Sequence, residues 1–201
     1  MKLDLVIAGV GGQGNILASQ TLAKCAMDEG YTVVNTETKG AAQRGGSVLS
    51  HLRISSRQIY SPLVPKGQAD ILLGFEPLEA MRYMSLLSKQ GKYIINTAPV
   101  PTILAKLNVD QYPSREEMLS TIGQLGMNGH FIDATRAASE LGDVLLTNVV
   151  MLGAFTGIND LLSPESVLKK LLSQINEKYH AADERAFYTG RKLIQDLEEG
   201  M

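Results

Sequence analysis

The feature that most constrains this chain is a glycine-rich turn near its start, between an apolar run and a helical pattern. Gly9-Val10-Gly11-Gly12-Gln13-Gly14 fits the pattern G-x-G-x-x-G. It follows residues 3–8, an apolar run typical of a buried strand, and precedes residues 14–29, where helix formers carry regularly spaced apolar residues. Residues 31–34 then predict a second strand. A strand, a helix and a strand in close succession predict the opening unit of a parallel α/β sheet.

The rest of the chain continues this alternation and then becomes helical. We predict further strands at 47–55, 69–75, 92–96 and 130–134. Helices are predicted from Pro77 to about 88, after a capping box at 114–117, and at roughly 144–157, 164–176 and 181–199. Since no Gly/Ser/Pro-rich linker divides the chain, residues 1–201 are predicted to form one domain. Its fold class is α/β: a Rossmann-like, mostly parallel sheet with helices on both faces and a helical C-terminal extension over about 144–199.

The glycine turn is a candidate ligand site because its chemistry lies in the backbone. Glycine tolerates positive φ and lets a ligand approach the main chain, and a helix N-terminus attracts phosphate or carboxylate groups. We therefore take Gly9, Gly11, Gly12, Gln13 and Gly14 as candidate binding residues. A dinucleotide would also need an acid at the end of the second strand, where Glu37 is a late candidate. A nucleotide, another anionic ligand and a purely structural role in strand–helix packing all remain open.

A second glycine loop precedes the strand at 47–55. Gln43, Arg44, Gly45, Gly46 and Ser47 combine a flexible backbone with a guanidinium and a hydroxyl group, which together can hold an anion. In a parallel sheet this loop lies at the same edge as the first turn, so the two loops are predicted to face one pocket. The alternative is a surface turn in which Arg44 pairs with an acid or with a partner subunit.

Charge and composition exclude several functional classes. The net charge is −2, yet residues 38–69 hold five Lys and Arg side chains and no acid. An acidic protein is a poor candidate for nonspecific nucleic-acid binding, but this basic stretch suits an acidic ligand or partner. No apolar run is long enough to span a membrane and no secretory signal is evident, so we expect a cytoplasmic protein.

The chemistry of a self-sufficient enzyme is missing from the sequence. Cys25 is the only cysteine, its surroundings predict a buried thiol, and an iron–sulfur cluster typically takes four thiolates. We find no phosphate-binding P-loop, no zinc-ligand spacing and no nucleophile elbow, so neither a metal site nor catalytic residues are assigned. Glu76 and Glu79 are predicted to lie on one solvated helix face.

Several motifs in order resemble the gamma-type module of 2-oxoacid:ferredoxin oxidoreductases, also called the pyruvate/ketoisovalerate oxidoreductase module. The resemblance covers most of the chain and is most specific from 9 to 80. The size of the chain and its helical C-terminus are most similar to those of the indolepyruvate-type members of this family. The motifs that carry the resemblance are Gly-Val-Gly-Gly-Gln-Gly at 9–14, Gln-Arg-Gly-Gly-Ser-Val at 43–48, Ser-Pro-Leu-Val-Pro-Lys-Gly at 61–67, Ala-Asp at 69–70, Glu-Pro-Leu-Glu-Ala at 76–80, Asn-Thr at 96–97, and Asn148 with Met-Leu-Gly-Ala at 151–154.

This resemblance implies a subunit that does not act alone. Members of the family oxidatively decarboxylate a 2-oxoacid, form the acyl-CoA and pass electrons to ferredoxin. Thiamine diphosphate and [4Fe–4S] clusters are then expected on a larger partner subunit and no cofactor on this chain, with CoA as co-substrate and ferredoxin reached through the complex. The resemblance places the two glycine loops on the substrate or CoA side. A homodimer is left open for the isolated chain.

Two other functions remain as alternatives. The glycine turn alone is compatible with a self-contained NAD(P)- or flavin-binding oxidoreductase. The basic stretch is compatible with a non-catalytic interaction module that binds an acidic partner.

Overall fold

The computed structural model describes residues 1–37, 45–102 and 112–200. A mixed six-stranded sheet forms its centre, with the strand order β2-β3-β1-β4-β5-β6. The strands are β1 (Lys2–Val10), β2 (Thr32–Glu37), β3 (Ser47–Ser55), β4 (Ala69–Gly74), β5 (Leu87–Asn96) and β6 (Asn128–Ile132). The α-helices are α1 (Asn15–Asp28), α2 (Pro77–Tyr83), α3 (Arg115–Gln124), α4 (Ala134–Glu140), α5 (Thr147–Ile158), α6 (Pro164–Leu172) and α7 (His180–Glu199). The predicted α/β class is therefore confirmed.

Two apolar cores lie on opposite faces of the sheet. Alternate residues of β1 separate them, since Leu5 and Ile7 belong to one core and Val6 to the other. The larger core contains α1 and α4–α7, whereas α2 and α3 pack on the other face. Helices on both faces are thus confirmed, and the C-terminal helices serve as one of the two layers that bury the sheet.

The topology differs from the predicted opening unit. The β1 and β2 strands are not neighbours, because β3 lies between them and runs antiparallel to both. Among the strands of the described residues, β1, β4, β5 and β6 form a continuous parallel set. Sequence periodicity identified each strand but contains no information about which strand pairs with which, so the insertion of β3 was missed.

Local boundaries also differ where pairing overrides helix propensity. The helix predicted from Pro77 to about 88 ends at Tyr83, a 3-10 turn follows, and β5 begins at Leu87 rather than at 92. Leu87 pairs with Ala69 of β4, and this long-range pairing extends the strand. The short helix α4 was not predicted; its N-cap is Asp133, the side chain of which accepts from the backbone N–H of Arg136 at 3.0 Å.

Candidate functional site

The carboxyl ends of the parallel strands meet at one edge of the sheet, and the glycine turn lies there. The turn follows β1, Glu76 follows β4, and Thr97 follows β5. Because β3 is antiparallel, its first residue, Ser47, also lies at this edge, paired with Val10. We refer to this region as the carboxyl edge.

The two glycine loops are joined directly through their backbones. Gly11 donates its N–H to the carbonyl of Gly46 at 2.8 Å, and Gly45 donates to the carbonyl of Gly11 at 3.1 Å. Beside them lies a cavity of about 280 Å³, lined by Gly11, Gly12, Gly14, Asn15, Ile16 and Val48. Gln43 and Arg44 lie outside the described residues.

Gln13 ties the turn to the neighbouring strand. Its Oε1 accepts from the backbone N–H of Val10 at 2.7 Å, and its Nε2 donates to the carbonyl of Phe75 at 3.1 Å. Both ends of this amide are therefore engaged within the protein, and the bonds link the ends of β1 and β4. A ligand contact through Gln13 stays a prediction.

Position 14 requires a glycine for two reasons: its backbone conformation and the close approach of helix α5. It is the N-cap of α1 with φ of +81°, in the left-handed region that glycine favours. A Cβ at this position would lie 2.4 Å from Nδ2 of Asn148, which is in the first turn of α5. The glycine thus allows α5 to approach the turn closely, a contact between residues 134 positions apart that sequence spacing does not reveal.

Glu79 lies inside the protein, so the predicted solvated face for Glu76 and Glu79 is wrong. Each residue is 1% exposed. Ser47 donates its hydroxyl to Oε2 of Glu79 at 2.5 Å and also lies 3.2 Å from the hydroxyl of Tyr83. Arg82 approaches the other oxygen of Glu79 at 3.6 Å. Glu79 therefore anchors the strand that follows the second glycine loop.

Glu76 binds two further segments at the same edge. As N-cap of α2, its Oε2 accepts from the N–H of Glu79 at 2.9 Å. Its Oε1 accepts from the hydroxyl of Tyr112 and from the N–H of Val100 at 3.4 Å. Burial raises the pKa of Glu76, and the bond from Tyr112 partly opposes this shift. Burial and the contact with Glu76 also raise the pKa of Tyr112.

Two amide oxygens beside the turn are buried without a hydrogen-bond partner among the described residues. They are Oδ1 of Asn15 and Oδ1 of Asn148. Asn15 is 3% exposed, and its Nδ2 reaches the carbonyl of Val10 only at 3.5 Å. Unsatisfied buried polar groups are rare in proteins, and a functional role is one of the explanations for them. No sequence pattern distinguishes Asn15, which occupies an ordinary helix position.

Glu37 is badly placed for a dinucleotide. In a dinucleotide-binding sheet, the strand that carries the ribose-binding acid is adjacent to the strand before the glycine turn. Here β3 separates β2 from β1, and the Oε1 of Glu37 accepts from Nδ2 of Asn35 at 3.1 Å. This arrangement counts against the self-contained NAD(P)-binding alternative.

The cysteine is a structural thiol, as predicted. Cys25 is 2% exposed, and burial, together with the nearby carboxylate of Glu29, raises its pKa to about 12. In the described ranges, no group of three His, Cys, Asp or Glu side chains gathers as metal ligands would. Every helix of those ranges is too short or too polar to span a bilayer.

The comparisons with known proteins agree with one another. Residues 4–193 match the family described as pyruvate ferredoxin/flavodoxin oxidoreductase. The chain is 37% identical over 199 residues to indolepyruvate oxidoreductase subunit IorB of Pyrococcus horikoshii, with 98% of both chains covered.

Two solved structures share the fold. The gamma subunit of a keto/oxoacid ferredoxin oxidoreductase from Geobacter sulfurreducens has a TM-score of 0.71 at 23% identity, covering 96% of this chain and 99% of that one. The 2-oxoglutarate:ferredoxin oxidoreductase of Magnetococcus marinus, solved with 2-oxoglutarate, coenzyme A and succinyl-CoA bound, has a TM-score of 0.75 at 21% identity, covering 97% of this chain and 31% of that one. On the strength of the match over residues 4–193 and the near full-length identity, this chain belongs to the pyruvate ferredoxin/flavodoxin oxidoreductase family.

Proposed function

We propose that this chain is the subunit without redox cofactors in a ferredoxin-dependent indolepyruvate oxidoreductase. The observation that carries the proposal is 37% identity over 98% of both chains to an indolepyruvate oxidoreductase subunit. The reaction is the CoA-dependent oxidative decarboxylation of an arylpyruvate, with ferredoxin receiving the electrons through the complex.

The chain's own residues support a division of labour between subunits. One buried thiol with a raised pKa is a poor cluster ligand, since iron–sulfur clusters are held by several thiolates. A larger partner subunit therefore holds the thiamine diphosphate and the [4Fe–4S] clusters, and the chain alone is inactive. Thiamine diphosphate, when bound there, supplies the carbanion chemistry of decarboxylation.

The contribution of this chain is a binding surface at the carboxyl edge. One cavity is lined by Gly11 and Gly14 of the turn. The second loop adjoins it, because Gly45 and Gly46 bond to Gly11 and Ser47 precedes the lining residue Val48. We assign this surface to CoA or the substrate, together with Gly9, Gly12, Gln13, Gln43 and Arg44. The fold shared with an enzyme that contains coenzyme A supports the assignment.

We also propose how the chain is organised, where it acts and which partner it has. The whole chain acts as one domain in the cytoplasm, and its principal partner is the larger subunit. A single sheet covered by helices on both faces supports the single domain.

Reconstitution tests the proposal. The chain and its proposed larger partner subunit would be purified separately and together, and reduction of ferredoxin would be followed with indolepyruvate and CoA. We expect turnover only from the complex and only when CoA is present. Turnover of an oxoacid by the isolated chain, or a complex that uses pyruvate or 2-oxoglutarate in preference to arylpyruvates, would contradict it.

Arg44→Ala tests the role of the second glycine loop, with Arg57→Ala as the matched control. Arg57 is an exposed arginine of the same basic stretch, outside the two glycine loops. Because a charged hydrogen bond to an anion is worth about 2 kcal/mol, loss of Arg44 should raise the KM for CoA about thirtyfold or weaken assembly comparably, as judged by gel filtration. Unchanged KM and assembly would remove the loop from the site.

A further inference from the structure

A separate cavity lies at the opposite edge of the sheet, where the parallel strands β1, β4 and β5 begin. It is lined by residues from the segments 1–3, 70–71, 90–92 and 158–161, and its volume is about 350 Å³. Since ligand cavities in proteins have volumes of about 300–1,000 Å³, it is large enough for a small metabolite. We refer to it as the amino-edge cavity.

The inner wall of the amino-edge cavity is apolar. Leu3 of β1 and Ile71 of β4 are 7% and 4% exposed and belong to the core on the α5 face of the sheet. Ile158, the last residue of α5, and Leu161 line the cavity from the helical side. This wall therefore suits a ligand with an apolar body of some size.

One part of the lining is positively charged. Nζ of Lys2 lies 2.7 Å from Oδ2 of Asp4, but this carboxylate also accepts from Arg53 at 2.8 Å, so one acid is shared by two cations. Lys92 also lines the cavity and forms no salt bridge with any described residue. A carboxylate that enters the cavity would therefore meet positive charge that is not fully neutralised.

Another part of the lining is negatively charged. Asp160 is exposed and forms no ion pair or side-chain hydrogen bond in the described part of the chain. It follows the C-terminal end of α5, where the helix dipole is negative and the last carbonyls lack helical partners. The side chain of Asn159 binds the N–H groups of Leu161 and Leu162 and the carbonyl of Leu162, so it closes the next turn. This end of the cavity therefore favours an ammonium group.

We propose that the amino-edge cavity binds an α-amino acid with a large apolar side chain. Its carboxylate lies at Lys2 and Lys92, and its ammonium group lies at Asp160 and the end of α5. A dicarboxylate or a diamine would place a charge beside lining groups of its own sign, which is unfavourable. The inference goes beyond the proposed function, because this cavity and the carboxyl edge lie at opposite edges of the sheet.

A set of four ligands tests which groups the cavity recognises. L-phenylalanine has both charges and an apolar body; phenethylamine lacks the carboxylate, 3-phenylpropionate lacks the ammonium group, and glycine lacks the apolar body. Titration calorimetry on the full-length chain should give L-phenylalanine a Kd of about 1 mM, the range for a ligand of about a dozen non-hydrogen atoms. Each charge should contribute about fivefold to affinity, as a favourable ion pair at a partly exposed site does.

Two variants show where the ligand binds. Asp160→Asn should weaken L-phenylalanine and phenethylamine about fivefold and leave 3-phenylpropionate unchanged, whereas Lys92→Gln should weaken L-phenylalanine and 3-phenylpropionate and leave phenethylamine unchanged. The matched controls are Asp196→Asn, at an exposed aspartate of α7, and Lys89→Gln, at an exposed lysine of β5. Neither control residue is part of the cavity lining, so all four affinities should stay within twofold of wild type.

The outcomes are distinct from those that test the proposed function. Absence of binding by L-phenylalanine, or equal affinity for an analogue with one charge, would overturn the inference. Binding that neither Asp160→Asn nor Lys92→Gln changes would overturn it as well, because the amino acid would then bind at another surface such as the carboxyl edge. The turnover of the reconstituted complex reports separately on the proposed function.

Discussion

The carboxyl edge of the sheet is built in two different ways on its two sides. At the glycine turn, the chain is held by backbone groups, as in the bonds between Gly11 and the 45–46 segment, and by left-handed φ angles. At the start of α2, it is held by two buried carboxyl groups, Glu76 and Glu79, which bind the ends of three other segments.

The two sides differ in how easily they are recognised from the amino-acid sequence. Backbone geometry with positive φ requires glycine, so the turn is visible as a glycine pattern. A buried Glu-x-x-Glu pair has the same spacing as a solvated helix face, because three residues span about one helical turn in both cases. The residues that are hardest to find from sequence are therefore polar side chains with long-range partners.

The largest effect is expected from Gly14→Ala on the backbone side. Its φ of +81° costs about 1–2 kcal/mol for a residue with a Cβ, and the contact at 2.4 Å with Asn148 adds about 1–3 kcal/mol of overpacking. We expect the free energy of unfolding, measured with urea, to fall by about 3 kcal/mol.

Gly12→Ala is the matched control for this change. Gly12 also has a positive φ, of +102°, but nothing lies within 4 Å of a Cβ built there. Its variant should lose only about 1–2 kcal/mol. Equal losses at positions 12 and 14 would show that the contact with α5 does not restrict the turn.

A smaller effect is expected from Ser47→Ala on the carboxyl side. The hydroxyl of Ser47 donates to Glu79 at 2.5 Å, and a hydrogen bond to a charged group contributes about 1.5–3 kcal/mol. We expect Ser47→Ala to lower the free energy of unfolding by about 2 kcal/mol, measured with urea at neutral pH.

Ser50→Ala, on the same strand, provides the comparison. Ser50 is fully buried, and its hydroxyl has no hydrogen-bond partner within the described residues. Its removal should change stability by no more than about 0.5 kcal/mol, since no bond is lost. If the two serine variants were equally destabilised, the bond to Glu79 would not be what anchors β3.

The sequence predicted the elements of this fold better than their arrangement. The strand at 47–55 and the capping box at Ser114 were placed correctly, because each depends on residues close together in the chain. The position of β3 between β1 and β2 was missed, since strand order is decided by which surfaces pack together. The end of α2 at Tyr83 was missed for a similar reason: the pairing of Leu87 with Ala69 is remote in sequence.

The candidate site also combines features that the sequence predicts with features that only the fold reveals. The two glycine loops were predicted to lie at one edge of the sheet and to face one pocket. Gly11 does bond the 45–46 segment at the carboxyl edge, and a shared ligand pocket stays a prediction. Asn15 and Asn148 beside the turn, and Glu79 behind Ser47, could not be predicted as site neighbours. The two asparagines are recognised by a buried oxygen without a hydrogen-bond partner among the described residues. Glu79 is recognised by its burial and its bond with Ser47, which is 32 positions away in the chain.

The smallest expected effect is a pH dependence of opposite sign at two glutamates. Burial raises the pKa of Glu76 above its ordinary value near 4.5, so over the window from 4.5 upward the folded state binds more protons than the unfolded state. The contribution of Glu76 to stability is therefore complete below that window and is lost as the pH rises. Glu117, exposed in the capping box of α3, has its pKa lowered by its bonds with Ser114, so its contribution is present above 4.5 and lost as the pH falls.

Glu76→Gln and Glu117→Gln separate the two cases. Urea unfolding of wild type and both variants between pH 3.5 and 7 gives two difference curves, in which the titration of all other groups cancels. The wild-type advantage over Glu76→Gln should shrink with rising pH, and the advantage over Glu117→Gln should shrink with falling pH. A flat curve for Glu76→Gln would mean that burial at the carboxyl edge does not penalise the charged form of this side chain. The glycine turn and the start of α2 would then differ in the groups that hold the chain, but not in how their stability depends on pH.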